Sequence, residues 1–174
     1  MKSLLISRNT IQRKVEYLGD KISKDYLEKD LVIICVLKGS YLFFSDLVRQ
    51  IKIKTEPKID FIQLSSYGSS TESSGEIKLK KDIEIDIEGK DVLIVEDIVE
   101  TGLTMEFLTK YLYDKKCKHV KICTLLQKPL KMKSDVFIDY VGFMIGEEFV
   151  IGYGLDFDEK YRTLPEIFLL KNPS

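Results

Sequence analysis

Residues 91–105 read Asp-Val-Leu-Ile-Val-Glu-Asp-Ile-Val-Glu-Thr-Gly-Leu-Thr-Met, and the reading of this stretch decides the fold. Val92 to Val95 form an unbroken, largely β-branched apolar run after a Gly-Lys-Asp turn signal. A strand buried on both faces of a parallel sheet has this character. Glu96 and Asp97 follow where that strand would emerge at its carboxyl end, and open α/β sheets bind ligands in the crevice outside those ends. Glu100, Thr101, Gly102 and Thr104 then make a short loop running into a helical pattern with Phe107, Leu108, Tyr111 and Leu112 inward. Free amides, the positive end of the helix dipole and two threonine hydroxyls suit an anion there, and Gly102 permits close approach. Two adjacent carboxylates would repel a bare phosphate but accept sugar hydroxyls or a divalent metal, so the stretch suits a phosphorylated sugar. The plainer alternative is a buried strand ending in an acidic N-cap turn.

At 174 residues the chain is one domain, or one domain with a small appendage, long enough for a substantial core, and no linker or internal repeat divides it. With 44% hydrophobic and 32% charged residues the composition is that of a soluble globular protein. A net charge of −1 gives no argument for a nucleic-acid or membrane-surface partner. No membrane-length apolar run or signal-peptide core is present, so the expected location is the cytoplasm. Cys35, Cys117 and Cys123 lack C-x-x-C spacing, and packing is the expected role of Cys35 and Cys123. With His119 the one histidine, multi-histidine metal sites are excluded, and any metal should be a hard, Mg²⁺-like ion on oxygen ligands.

In chain order, Ile11, Val15, Leu18 and Ile22 share one helical face, with Asn9 and Gln12 as a start signal. Residues 31–37 form a second apolar strand pattern, followed by Lys38-Gly39-Ser40 and a helical pattern over 41–51. This βα unit sets its turn beside the first anion seat. Lys38 and the amides of Gly39 and Ser40 could hold a pyrophosphate, or the turn could simply be tight with a solvated lysine. Residues 59–64 alternate like a strand before a Ser/Gly-rich stretch over 65–75, which reads either as a mobile hairpin tip or as a lid. Ile77, Leu79, Ile83, Ile85 and Ile87 alternate with charges and predict a returning strand or strands with a solvated lysine-rich face. Residues 120–126, 136–143, 149–153 and 164–170 complete the predicted strands. Neither a Walker A sequence nor a dinucleotide fingerprint at Gly152-Tyr-Gly154 is present.

Taken together, Val-Leu-Ile-Val-Glu-Asp-Ile-Val-Glu-Thr-Gly-Leu-Thr resembles the phosphoribosyl-pyrophosphate motif of the type I phosphoribosyltransferases. Leu37-Lys38-Gly39-Ser40 is similar to that family's pyrophosphate loop, Ser66-Tyr67 to its flexible loop, and residues 141–162 to the base-binding end of the hypoxanthine-guanine branch. The resemblance runs in family order from about Leu31 to Arg162. It implies an α/β type I phosphoribosyltransferase fold: a central, mostly parallel sheet flanked by helices, a small base-binding hood from the N- and C-terminal segments, and a flexible lid over about 65–75, all in one domain spanning 1–174.

The function so implied is purine salvage, with 5-phosphoribosyl passing from phosphoribosyl pyrophosphate to hypoxanthine or guanine with Mg²⁺. Glu96, Asp97, Thr101, Gly102 and Thr104 would hold the phosphoribosyl group, and Lys38, Gly39 and Arg162 the pyrophosphate. Lys128 would meet the purine 6-oxo group, Phe149 would stack on the ring, and Val150 and Asp156 would complete the base site. Asp156 with Glu96 and Asp97 would serve the metal. Relatives are commonly dimers or tetramers, and the peptide before the loop lysine, here Leu37–Lys38, is often cis.

One position departs from the pattern. The loop acid, which takes a proton from the purine, is usually aspartate, whereas this chain has Glu100. The extra methylene shifts the carboxylate by about 1.5 Å, one carbon–carbon bond, so its service as base depends on its rotamer. The competing readings are a relative acting on xanthine or another base, and a non-catalytic regulator sensing nucleotides on the same fold.

Overall fold

The structure, a computed structural model, describes residues 2–66 and 77–171. The expected lid therefore lies outside the described residues from Tyr67 onward. Nine strands and three α-helices are described: β1 (Lys2–Ile6), α1 (Arg8–Asp25), β2 (Leu31–Leu37), α2 (Tyr41–Val48), β3 (Lys58–Ser66), β4 (Ile77–Lys81), β5 (Asp91–Val99), α3 (Leu103–Asp114), β6 (His119–Gln127), β7 (Tyr140–Met144), β8 (Val150–Ile151) and β9 (Ile167–Leu170).

The main sheet has the order β4-β3-β2-β5-β6-β7. All its pairings are parallel except that of β3 with β4. From β2 the chain winds one way to β3, and from β5 the other way through β6 to β7. The direction therefore reverses between the adjacent strands β2 and β5, the position at which an open α/β sheet leaves a crevice at its carboxyl edge. Alternate residues of the central strands feed two cores. Ile33, Cys35, Leu93, Val95 and Cys123 pack with α1 and α2, while Val32, Ile34, Val36, Val92 and Ile94 pack with Met105, Leu108 and Leu112 of α3. Burial on both faces explains their continuous apolar reading. A second, antiparallel sheet, β1-β9-β8, joins the chain's first and last strands. Among the described residues no helix is long and apolar enough to cross a membrane.

Several predicted boundaries move, each for a local reason. The start of α1 is Ser7, whose hydroxyl accepts from the Thr10 amide at 3.3 Å, so Asn9 lies inside the first turn. The predicted helix over 41–51 ends at Val48. The strand pattern at 83–87 forms no ladder, because acidic side chains take its donors. Asp60 accepts from the Glu84 and Ile85 amides at 2.6 and 2.8 Å, and Asp82 from that of Ile83 at 2.7 Å. The 149–153 run stops at Ile151, since Gly152, Tyr153 and Gly154 all take positive φ (98°, 51° and 99°). The 136–143 and 164–170 patterns shorten at their amino ends to β7 and β9. β1 is absent from the sequence reading, as only its last residue, Ile6, is buried.

Candidate active site

The predicted phosphoribosyl residues lie at the carboxyl end of β5, but Glu96 and Asp97 are within the strand rather than beyond it. Pairing with β2 stops at Cys35 opposite Val95, while pairing with β6 continues through Glu96 opposite Thr124 and Val99 opposite Gln127. Beyond the β2 pairing, the carboxylates serve their own backbone. Glu96 accepts from the Asp97 amide at 3.1 Å and Asp97 from the Ile98 amide at 2.7 Å. Both side chains are buried. Desolvation, reinforced by the charge of Asp97, holds the Glu96 carboxyl well above the usual carboxylate range, and desolvation also raises Asp97.

Beyond the strand, Gly102 caps α3 at φ 79°, a left-handed conformation suited to glycine. A Cβ there would also overlap Ser134 and Met132. Thr101 Oγ1 accepts from the Leu103 amide at 3.4 Å. Glu96, Glu100, Thr101, Gly102 and Thr104 line a cup of about 210 Å³ at this helix start.

The loop after β2 meets this edge directly. The Leu37–Lys38 peptide is cis. Gly39 leaves no room for a side chain, because a Cβ would overlap the Asp97 carboxylate. A Cβ on Gly154 would in turn overlap the Gly39 carbonyl, so these two backbones abut. That contact brings the C-terminal loop to the crevice. Gly154 accepts from Arg162 Nη1 at 2.8 Å, and Arg162 Nη2 lies 3.0 Å from Asp156 Oδ1. Lys38, Gly39, Asp97, Asp156 and Arg162 line one cleft of about 310 Å³, joined by Lys80 and Glu159.

On the other flank Lys128 follows β6, its amide bonded to the Val99 carbonyl at 2.9 Å. Its side chain is 2% exposed and its ammonium bonds Glu100 Oε1, while Lys131 Nζ stands 3.6 Å from Glu100 Oε2. Val150 is buried in β8, and Phe149 is 40% exposed with its ring edge-on to Phe157 at 5.6 Å. Ser66 ends β3, and Tyr67 falls outside the described residues.

Sequence reasoning missed Lys131, Lys80 and Glu159. Each sits in a charged stretch that reads as solvated surface. For Glu159 the available signal was the three-residue spacing of Asp156, Glu159 and Arg162 in a loop already singled out. Among the described residues no three acidic, histidine or cysteine side chains form a metal cluster. The carboxylates present suit an ion that keeps much of its coordination for water and substrate phosphates, as Mg²⁺ does.

A family profile described as the phosphoribosyl transferase domain matches residues 5–158. The chain belongs to this family. Among curated proteins, the hypoxanthine-guanine phosphoribosyltransferase of Bacillus subtilis is 45% identical over 171 residues, covering 98% of this chain and 94% of that protein. The protein of the same name from Staphylococcus aureus strain Mu50 is 47% identical with the same coverage. Among solved structures, a hypoxanthine-guanine phosphoribosyltransferase from Bacillus anthracis superposes with a TM-score of 0.91 at 47% identity, covering 97% of this chain and 98% of that one. The type I phosphoribosyltransferase fold expected from the sequence is thus the fold observed.

Proposed function

We propose that this chain is a purine-salvage enzyme that transfers the 5-phosphoribosyl group of phosphoribosyl pyrophosphate to hypoxanthine or guanine. The observation that carries the reading is the meeting of Lys38, Glu96, Asp97, Glu100, Lys128 and Arg162 at one sheet edge, in a chain whose relatives are named for that activity.

In the reaction, the ribose C1–oxygen bond to pyrophosphate breaks as a purine ring nitrogen bonds to C1. The 5-phosphate sits on the Thr101–Thr104 loop amides and hydroxyls. Glu96 and Asp97 accept from the ribose hydroxyls, and their negative charge favours the cation developing at C1. Lys38, the Gly39 amide and Arg162 bind the departing pyrophosphate. Phe149 stacks on the base and Val150 meets its edge through backbone groups. The purine 6-oxo group and N7 lie side by side on the ring, so Lys128 and Glu100, neighbours here, face them as donor and acceptor. Lys128 donates to the oxygen and Glu100 takes the N7 proton. Asp156 with Glu96 and Asp97 would hold a Mg²⁺ ion, which would supply charge neutralisation of the diphosphate. The β1-β9-β8 sheet forms the hood, and the enzyme works in the cytoplasm as a dimer or tetramer.

The role of Glu100 is tested by Glu100→Gln, which keeps the shape and removes the basic oxygen. The expected kcat loss is on the order of 10²–10⁴-fold, the usual scale of general-base catalysis. Turnover close to that of the unsubstituted protein would remove Glu100 from the mechanism.

A further inference from the structure

The two cations assigned to pyrophosphate are already engaged by one side chain. Glu159 Oε1 lies 3.1 Å from Lys38 Nζ, and Glu159 Oε2 lies 3.1 Å from Arg162 Nη2. The loop is shaped for this reach. Asp158, Glu159 and Tyr161 all take positive φ (52°, 58° and 73°) without being glycine. The Glu159 amide donates to Asp156 Oδ2 at 2.9 Å, turning the chain back so that its carboxylate faces the cleft.

Such a carboxylate could be a brace that positions the cations or a counter-ion that occupies them. The surroundings favour the second. Arg162 is held without it, through the Gly154 carbonyl at 2.8 Å and Asp156 at 3.0 Å, and is only 18% exposed. Lys38 is 55% exposed, and Glu159 is its one ion-pair partner among the described residues. Glu159 is itself 65% exposed and free to swing into solvent.

We propose that Glu159 is a built-in stand-in for pyrophosphate: between turnovers it neutralises Lys38 and Arg162, and an incoming diphosphate must displace it. The proposal rests on the reading of this cleft as the pyrophosphate seat. A displaceable carboxylate sets a threshold, since a ligand must outbid one negative charge on two cations. A diphosphate does so more readily than a singly charged anion, which makes Glu159 a specificity-determining residue of the leaving-group site.

The test is calorimetric titration of inorganic pyrophosphate with Mg²⁺ into the unsubstituted protein, Glu159→Gln, Glu159→Ala and the control Asp158→Asn, which removes the adjacent charge without touching the cleft. Each variant's thermal unfolding is recorded alongside. Both Glu159 variants should bind about 3–10-fold more tightly at low ionic strength, the scale of two released surface ion pairs. The gain should shrink in high salt, and Asp158→Asn should stay within about twofold of the unsubstituted protein. Unchanged or weaker binding by folded Glu159 variants, with the unsubstituted protein binding normally, overturns the stand-in and makes Glu159 a brace. An equal gain in Asp158→Asn overturns it in favour of bulk charge. Absence of pyrophosphate binding in every protein overturns both this inference and the phosphoribosyltransferase reading beneath it.

Discussion

The Lys128–Glu100 pair offers a test of the base-binding end that needs no substrate. Lys128 is 2% exposed and its ammonium bonds the Glu100 carboxylate, which is 40% exposed. Removing the carboxylate leaves a buried cation with its chief partner gone. Breaking a fully buried pair costs about 3–5 kcal/mol, whereas exposed pairs are worth about 0.2–1 kcal/mol. With one partner in the core and the other at the rim, solvent screening discounts the larger figure, and Glu100→Ala should cost about 1–3 kcal/mol. In a domain of 174 residues that lowers Tm by about 2–12 °C. Lys128→Met should cost less, since methionine fills similar apolar volume and the stranded Glu100 can turn to water. Glu100→Ala made on the Lys128→Met background should then cost under about 0.5 kcal/mol. Urea unfolding of the four proteins closes the cycle, with a coupling of about 0.5–3 kcal/mol expected. Equal costs for Glu100→Ala with and without Lys128 would refute the claim that this carboxylate holds the buried ammonium in place.

Glu96→Gln should stabilise the protein at pH 7.5 by about 0.5–2 kcal/mol. Burial raises the Glu96 carboxyl above its unfolded value, so the penalty is absent where the group is protonated in both states and grows as pH rises through the folded pKa. The stabilisation should therefore vanish near pH 4, and Tm differences of equal size at pH 4 and 7.5 would contradict the assignment. Gly39→Ala should destabilise by about 1–3 kcal/mol and raise the KM for phosphoribosyl pyrophosphate, because its methyl overlaps the Asp97 carboxylate. Unfolding curves and substrate titrations check this, and unchanged values for both would show that the loop can yield.

The main sheet was legible because its strands are buried on both faces, so residues 31–37 and 92–95 carry the signal without help from their neighbours. The carboxyl-edge loops were legible for the opposite reason: short polar turns such as Lys38-Gly39-Ser40 interrupt those runs abruptly. What escaped depends on long-range satisfaction of polar groups. Nothing local announces that Asp60 will take the amides of Glu84 and Ile85 and cancel a strand. Nor does it announce that β5 will continue through Glu96 and Asp97 on the strength of its pairing with β6. Within the site, the resemblance carried Phe149, Val150 and Arg162, which by pattern alone are core or surface residues. The spacing of Glu159 from Asp156 and Arg162 is local, but its reach to Lys38 exists only because the abutting Gly39 and Gly154 backbones bring two distant loops together.

The central claim, that this sheet edge transfers phosphoribosyl to a 6-oxopurine, is tested most directly by turnover. The purified protein is incubated with phosphoribosyl pyrophosphate, Mg²⁺ and, separately, hypoxanthine, guanine, xanthine, adenine or uracil, with an EDTA control, following nucleotide and pyrophosphate together. Magnesium-dependent, equimolar nucleotide and pyrophosphate are expected with hypoxanthine or guanine, and none with adenine or uracil. Tight binding of phosphoribosyl pyrophosphate without product from any base would contradict the claim and leave the nucleotide-sensing regulator as the reading.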